Sequence, residues 1–243
     1  MLIHKDNFEF IHLSSIDSTN NYAKKLCSLG FTNKVIIADT QTAGRTTKEQ
    51  KWISPKGNLY FSIILNLKDE KNLPEYSFLS AISIVQSINQ IDTNSNIIKV
   101  KWPNDVLLNK QKFCGILIEK EKDKVIIGIG VNTISSPAQN LTRYPTTNLH
   151  DNKIEISPQN LAELILKNLI QNINLKESES FEKIISLITP YMYKFNEKVY
   201  ISTQKETLIG IFSGLSKDGA LLLTTPKQTY TIFSGEMTKE NFI

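Results

Sequence analysis

The sequence predicts an α+β protein, in which a mixed, mainly antiparallel sheet is flanked by helices and followed by a small C-terminal β-barrel. Strand patterns follow one another closely in the middle of the chain, and helical spacings come in separate blocks. After Asn196 the pattern changes to short strands with Gly and Asp turns, which is typical of a small antiparallel barrel. This order does not fit the regular strand–helix alternation of a doubly wound sheet.

The larger part of the chain, residues 1–196, carries the elements of the predicted sheet. Strands are expected at residues 8–13, 35–38, 58–67, 97–102, 106–108, 113–119 and 125–131. Helices are expected after Asp17 or Ser18 and at residues 76–91, 161–173 and 181–195. Ser157 and Pro158 are residue types that open a helix, and Gly30 is a type that ends one.

The second part, residues 197–243, is predicted to form the barrel. Its strands are expected at residues 199–202, 208–215, 220–224 and 229–233. Turn residues separate them, among them Asp218 and Gly219. We therefore expect a domain boundary at Asn196.

The composition, with 40% hydrophobic and 21% charged residues, is that of a globular protein with a sizeable core. The net charge of +4 comes from scattered lysines, so a nucleic-acid surface is not indicated. The N-terminus lacks the apolar segment of a signal peptide, and no apolar run is long enough to span a membrane. Cys27 and Cys114 form no disulfide framework, and the three histidines suggest no zinc site, so the cytoplasm is the expected compartment.

Two polar segments of the N-terminal half suggest binding chemistry. Ser18, Thr19 and Asn20 begin the first helix, where they either cap it or recognise a small polar ring. The polar stretch at residues 39–57 is long for a connection inside a compact domain. Within it Arg45 offers a planar fork for a carboxylate or phosphate, and Trp52 a ring that would stack on a base. The alternative is a solvated loop with Trp52 packed in the core.

The segment Lys-Trp-Pro-Asn-Asp, which ends at Asp105, places polar groups at the margin of the sheet. Pro-Asn-Asp is also good turn chemistry, and a lone strand lysine such as Lys112 is ordinarily a solvated charge. A short hairpin, however, brings Lys112 to the same end of the sheet as Asp105. Glycines in the next strands, including Gly115, mark a close approach of a ligand or another part of the chain. Asn132 at a strand exit either reads an adenine edge or serves as a turn residue.

Together these segments resemble the biotin–protein ligase family. The resemblance spans nearly the whole chain and rests on DSTNNYAK, ADTQTAGR, KWISPKGNLYFSI, KWPNDVLLNKQKFCGILIE, IGIGVN, GIFSGLSKDGALLL and FSGE. KWPND followed by K-x-x-GIL-x-E is highly specific. The resemblance implies a catalytic domain related to class II tRNA synthetases and lipoate ligases, with an SH3-like C-terminal barrel. It also implies that ATP activates biotin to biotinyl-AMP, and that biotin passes to a lysine of a biotin carboxyl carrier protein or domain.

By resemblance, Ser18, Thr19, Asn20 and Gln41 would bind the ureido ring of biotin, next to Gly44 and Gly115. Arg45 and Lys112 would hold the carboxylate and then the acyl phosphate. Trp52 would stack on adenine, Asn104 and Asn132 would contact its edge, and Thr46 and Thr47 would lie at the nucleotide. Asp105 would orient the reacting groups or the Mg²⁺ that accompanies ATP. The metal ligands themselves are not predicted.

The sequence departs from the family in the loop after Gly44. Many members have an Arg-rich flap of the form GRGRxGR, whereas this chain has Thr46 and Thr47 after the first Gly-Arg pair, and Lys48 as a further cation. Retention of biotinyl-AMP is therefore expected to be weaker. The chain also begins almost at the first catalytic strand, so DNA binding through a winged helix-turn-helix is not expected.

Two other functions compete with this one. A lipoate-type acyl-adenylate ligase fits the residues at positions 18–20 less well, and a non-catalytic biotin- or nucleotide-binding regulator would explain the altered flap. A homodimer through an exposed edge of the main sheet is possible on general grounds. A mildly basic surface would suit an acidic carrier domain.

Overall fold

A seven-stranded sheet forms the centre of the computed structural model, which describes residues 3–47, 51–142 and 144–238. The strands are β1 (Glu9–Leu13), β2 (Lys34–Ala38), β3 (Leu59–Asn66), β4 (Ile98–Lys101), β5 (Asp105–Leu108), β6 (Gln111–Glu121) and β7 (Lys124–Val131). They lie in the order β1-β2-β3-β7-β6-β5-β4. β1 and β2 are parallel, and all the other neighbours are antiparallel. The predicted mixed, mainly antiparallel sheet is confirmed.

Helices cover both faces of this sheet. They are α1 (Thr19–Ser28), α2 (Glu75–Ile91), α3 (Pro158–Ser178) and α4 (Phe181–Ile188). Alternate residues of a strand point to opposite faces, so Ile64 of β3 packs under α1 while its neighbour Ile63 joins the core beneath the other helices. None of the described helices is both long and apolar enough to cross a membrane.

The third helix begins as the sequence predicts, but the fourth is shorter than expected. The Ser157 side chain accepts a hydrogen bond from the backbone N–H of Asn160, and Pro158 occupies the first turn. The helix predicted at residues 181–195 ends at Ile188 and is followed by a single 3₁₀ turn, Thr189–Tyr191. Pro190 explains the difference, because proline lacks the N–H that the next hydrogen bond of the helix would need.

The C-terminal part forms a second antiparallel sheet. Its strands are β8 (Lys198–Ser202), β9 (Thr207–Leu215), β10 (Leu221–Thr224), β11 (Thr229–Ile232) and β12 (Glu236–Thr238), in the order β11-β10-β9-β8-β12. The sequence did not predict β12, which has only three residues. The expected SH3-like barrel is not confirmed, because no pairing of β11 with β12 closes the sheet within the described residues.

The turn between β9 and β10 packs against the larger part of the molecule. The indole nitrogen of Trp102 donates a hydrogen bond to the carbonyl oxygen of Gly219 at 3.3 Å. Gly219 has a φ of +80°, and a Cβ atom added there would lie 2.6 Å from a ring carbon of Phe78 on α2. The position therefore needs glycine both for its backbone conformation and for the close packing on α2.

We predict that Gly219→Ala lowers the free energy of unfolding by about 1–3 kcal/mol, because it combines a strained backbone with overpacking. Chemical denaturation measures the effect. Gly214→Ala on β9 is the control, since the nearest side-chain atom would lie at 3.6 Å. Equal stabilities of the two variants would mean that the turn is not packed on α2 as described.

Candidate functional site

A cavity of about 250 Å³ lies beside the glycine-containing segments of β6 and β7. The structure brings nearly all of the predicted site residues to its wall, namely Ser18, Thr19, Asn20, Gln41, Arg45, Thr46, Thr47, Trp52, Asn104, Asp105, Lys112, Gly115 and Asn132. Gly44 lies behind this wall, where an added Cβ would come within 2.6 Å of the Trp52 carbonyl oxygen. Of the predicted flap at residues 46–50, the structure describes Thr46 and Thr47, while residues 48–50 lie outside the described residues.

The start of α1 forms one end of the cavity with a buried polar network. The backbone N–H of Thr19 and its hydroxyl both contact the side-chain oxygen of Gln41, at 2.8 and 3.2 Å. The Ser62 hydroxyl on β3 lies 2.6 Å from Asn20 Oδ1 and 2.8 Å from Thr19 Oγ1. Ser18 stands at the N-cap, but its side chain makes no capping hydrogen bond. The hydroxyl of Ser18 is therefore not explained by helix capping.

The carboxylate of Glu119 on β6 binds three donors, two from α1 and one from the polar loop. It accepts a hydrogen bond from Asn20 Nδ2 at 2.8 Å, pairs with Lys24 Nζ at 2.7 Å, and forms an ion pair with Arg45. Burial by itself would raise the pKa of Glu119, but the donors from Lys24, Asn20 and Arg45 outweigh it and hold the pKa below its ordinary value. Glu119 is thus ionised at neutral pH and joins α1 to the polar loop.

The strand glycines make room for side chains of the site. A Cβ atom on Gly128 would lie 2.2 Å from Asn20 Oδ1. Cβ atoms on Gly115 and Gly130 would lie 2.9 and 2.7 Å from ring atoms of Trp52. The close approach that the glycines indicate is therefore made by Asn20 and by the indole of Trp52, which rests on the sheet and forms part of the cavity wall.

Lys112 and Asp105, which both line the cavity, form an ion pair with their charged atoms 2.5 Å apart. They lie on the paired strands β5 and β6, near an irregularity in the register after Val106. The two side chains are only 22% and 18% exposed, so the solvated-charge alternative for Lys112 is wrong. The ammonium group also lies 5.3 Å from the centre of the Trp52 ring.

Asn104 and Asn132, which were predicted to contact an adenine edge, differ in which of their hydrogen-bonding groups the protein already uses. Asn104 uses its side-chain amide to donate to the Ile116 carbonyl at 2.8 Å. Asn132 donates to the Thr147 carbonyl at 3.1 Å, while its Oδ1 is buried and has no hydrogen-bond partner within the described residues. The indole N–H of Trp52 is buried and lacks a partner in the same part of the chain. Asn132 and Trp52 therefore present an acceptor and a donor that the described protein atoms do not use.

Several cavity residues were not predicted from the sequence. Lys101 lies over the Tyr144 ring at 3.6 Å, and the Tyr144 hydroxyl is 3.3 Å from a carboxylate oxygen of Glu236 on β12. Glu236 and its neighbour Gly235 bring the C-terminal sheet to the cavity. Lys101 and Glu236 of the cavity wall, and Glu119 behind it, all lie in segments that carry the family resemblance. These motifs could therefore have pointed to them. Tyr144 lies in a segment without such a signal.

Comparison with known proteins agrees with this geometry. A family model described as "Biotin/lipoate A/B protein ligase family" matches residues 13–132. The solved biotin protein ligase from Aquifex aeolicus, in complex with biotin and ATP, is 29% identical and covers 95% of this chain and 97% of its own, with a TM-score of 0.84. The chain is therefore similar to biotin–protein ligases in fold and, over nearly its whole length, in sequence.

Two curated members of the family show how far the similarity extends. The biotin–[acetyl-CoA-carboxylase] ligase of Paracoccus denitrificans is 26% identical over 235 residues, which are 93% of this chain and 98% of that protein. The bifunctional ligase/repressor BirA of Escherichia coli is 29% identical over 218 residues, 87% of this chain and 68% of that protein. The similarity to biotin–protein ligases therefore includes the C-terminal part as well as the main sheet.

We predict that Glu119→Gln makes the stability of the protein less dependent on pH. Because the folded-state pKa is lowered, ionised Glu119 stabilises the fold at neutral pH, and this contribution is lost as the pH falls below the ordinary value of 4.5. Urea unfolding should show the variant less stable by about 1–3 kcal/mol at pH 7, with the difference shrinking in acid. Glu121→Gln, two residues further along β6, controls for the loss of one charge. A constant difference at every pH would contradict the assignment.

Proposed function

We propose that this chain is an ATP-dependent biotin–protein ligase, which forms biotinyl-AMP and transfers biotin to a lysine of a biotin carboxyl carrier protein or domain. The observation that carries the proposal is one cavity whose wall combines a neutral polar cluster at the start of α1 with the cations Arg45 and Lys112. Biotin has a polar ureido ring joined by an aliphatic chain to a carboxylate. Such a cavity is complementary to a molecule of that kind.

The ureido ring would lie against the start of α1. Its carbonyl oxygen needs donors and its two N–H groups need acceptors, and Ser18, Thr19, Asn20 and Gln41 offer both. Ser62 and Glu119 hold Thr19 and Asn20 in place. Such preformed geometry reduces the cost of ordering the site when the ring binds.

Arg45 and Lys112 would act at the reacting groups. In the first step a biotin carboxylate oxygen attacks the α-phosphorus of ATP, and pyrophosphate leaves. The two cations offset the repulsion between the anions and the charge that grows in the transition state. In the second step the neutral ε-amine of the acceptor lysine attacks the acyl carbon, AMP leaves, and the amine gives up a proton. Asp105 would keep Lys112 oriented through their ion pair.

The nucleotide would lie beside Trp52, with Thr46 and Thr47 near its phosphates. An adenine ring can stack on an indole, and its amino group can donate to the unpartnered Oδ1 of Asn132. Asn104 is a weaker candidate for the adenine edge, because its amide already donates to the Ile116 carbonyl. Its remaining role would be to hold the hairpin that carries Lys112.

Magnesium would enter with ATP as part of the substrate. Within the described residues, no group of three or more His, Cys, Asp or Glu side chains is placed to hold a metal ion. Mg²⁺ on nucleotides is commonly held by phosphates and by one or two carboxylates. The cavity supplies Asp105 and Glu236 for such a contact.

The C-terminal sheet would complete the site as a small domain of residues 197–243, built as a variant of the SH3-like barrel. It contributes Glu236 to the cavity wall. The acceptor would be a carrier domain that presents its lysine at the cavity mouth. An edge strand of the main sheet, β1, has one side that no described strand pairs with, and this side would suit pairing with a second copy.

Two alternatives are separated from this proposal by one assay. Pyrophosphate exchange into ATP that requires biotin identifies a biotin ligase, and exchange that requires lipoate identifies a lipoate ligase. Binding of biotin without any exchange would identify a non-catalytic regulator. Transfer of labelled biotin to a purified carrier domain then tests the second step.

We predict that Lys112→Ala lowers biotin-dependent pyrophosphate exchange by about two orders of magnitude, because a cation at the α-phosphate of the transferred adenylyl group is lost. Thermal unfolding should stay cooperative. Lys120→Ala is the matched control, since Lys120 lies on the same strand and pairs with Glu70. An unchanged exchange rate for Lys112→Ala would refute the role of this residue.

We also predict that replacing Thr46 by Gly and Thr47 by Arg slows the loss of biotinyl-AMP. A charge-assisted contact is worth about 1.5–3 kcal/mol, which corresponds to about tenfold or more in the dissociation rate. The natural protein is thus expected to release activated biotin and to label nearby lysines with little selectivity. Stopped-flow dissociation of the adenylate compares the two proteins. Equal rates would show that another contact already holds the adenylate.

A further inference from the structure

The side chain of Asn58 binds the backbone of the segment that leaves β7. Its Oδ1 accepts hydrogen bonds from three consecutive N–H groups, those of Thr133 and Ile134 at 3.0 Å and that of Ser135 at 3.2 Å. Its Nδ2 donates to the Ser135 carbonyl at 2.9 Å. Asn58 is 2% exposed. Since all four contacts come from one buried amide, the course of this segment depends on that amide.

Asn58 also lies where two cavity-lining segments meet. It follows Gly57, the last residue of the polar stretch that carries Arg45 and Trp52. The hydroxyl of Thr133 donates to the Gly57 carbonyl at 2.6 Å, and a Cβ atom on Gly57 would lie 2.1 Å from Ile134 Cδ1. The polar stretch and the segment after β7 are therefore joined at this point.

The segment after β7 supplies the wall of the cavity beyond Asn132. Pro137, Leu141 and Thr142 all line it, and Leu141 is 61% exposed. Asn132, with its unpartnered Oδ1, immediately precedes the three N–H groups that Asn58 holds. The polar cluster at the start of α1 is held by Gln41 and by side chains of β3 and β6, and Asn58 makes none of these hydrogen bonds.

We infer that Asn58 is a positioning residue for the nucleotide, which fixes Asn132 and the segment at residues 133–142 against adenine while leaving the biotin end unaffected. The inference rests on the proposed function, which places the nucleotide beside Trp52 and Asn132. It follows because the hydrogen bonds of the Asn58 side chain go to residues 133–135 and not to Thr19, Asn20 or Gln41. Loss of the Asn58 amide frees three backbone donors on the nucleotide side and removes none of the contacts of Thr19 and Asn20.

The chemistry of the amide supplies graded variants. Asn58→Ala removes both the acceptor and the donor. Asn58→Asp keeps an acceptor for the three N–H groups, replaces the donor to Ser135 by a second carboxylate oxygen, and adds one negative charge. Asn172→Ala is the matched control, because Asn172 is an equally buried asparagine that donates to Ser83 and Gln86 between α2 and α3, away from the cavity.

The experiment measures the two substrates separately. Calorimetry without ATP gives the Kd for biotin, and pyrophosphate exchange at saturating biotin gives the KM for ATP and kcat. For Asn58→Ala we expect the KM for ATP to rise about tenfold or more, with kcat and the biotin Kd changed less than about threefold. Asn58→Asp should recover most of the ATP affinity. Asn172→Ala should lower the melting temperature without changing either substrate.

Two results would overturn the inference: equal losses of biotin and ATP affinity in Asn58→Ala, or an unchanged KM for ATP. If Asn58→Ala does not fold, Asn58→Ser and Asn58→Asp are compared instead, and the same split between ATP and biotin is required. Absence of biotin-dependent exchange in the natural protein would contradict the proposed function instead. The role of Asn58 would then be decided by calorimetric binding of ATP to the natural protein and to the Asn58 variants.

Discussion

The partly buried carboxylate of Glu119 is the charge on which the arrangement of the site depends. It joins Asn20 on α1, Arg45 in the polar loop and Lys24 on the outer side of the helix. A buried carboxylate is costly unless donors surround it, so the fold must keep these three groups together to keep the charge. The same requirement sets Asn20 and Arg45 at fixed positions before any ligand arrives.

A second constraint on the site is the lack of a side chain at three glycine positions of β6 and β7. Glycine at position 128 lets Asn20 reach the sheet, and glycines at 115 and 130 let the Trp52 indole lie flat upon it. An alanine at any of them would place a Cβ atom within 3 Å of these groups. Glycine in a strand lowers the intrinsic stability of that strand. The hydrophobic clusters on both faces of the main sheet offset this loss.

The sequence predicted the central sheet well, because buried strands and amphipathic helices leave strong periodic patterns. It overextended the fourth helix past Pro190 and missed β12, where three residues give too short a pattern. Most of the candidate site followed from motifs, but the role of Glu119 did not. A glutamate in a strand shows its importance only when Asn20 and Lys24 of α1 and Arg45 of the polar loop, all far from it in sequence, meet around it. The three backbone donors held by Asn58 are invisible for the same reason.

The pairing of Arg45 with Glu119 explains why the residue at this position is arginine and not lysine. A guanidinium has five N–H donors in a planar fork, whereas an ammonium is a single compact charge. Arg45 uses one terminal nitrogen on Glu119, and its Nε is buried without a partner among the described residues. One side of the fork therefore stays on the protein while other donors remain for an anion in the cavity. An ammonium carries its three N–H donors on one atom, so a lysine paired with Glu119 would reach less far towards an anion in the cavity than the fork of Arg45 does.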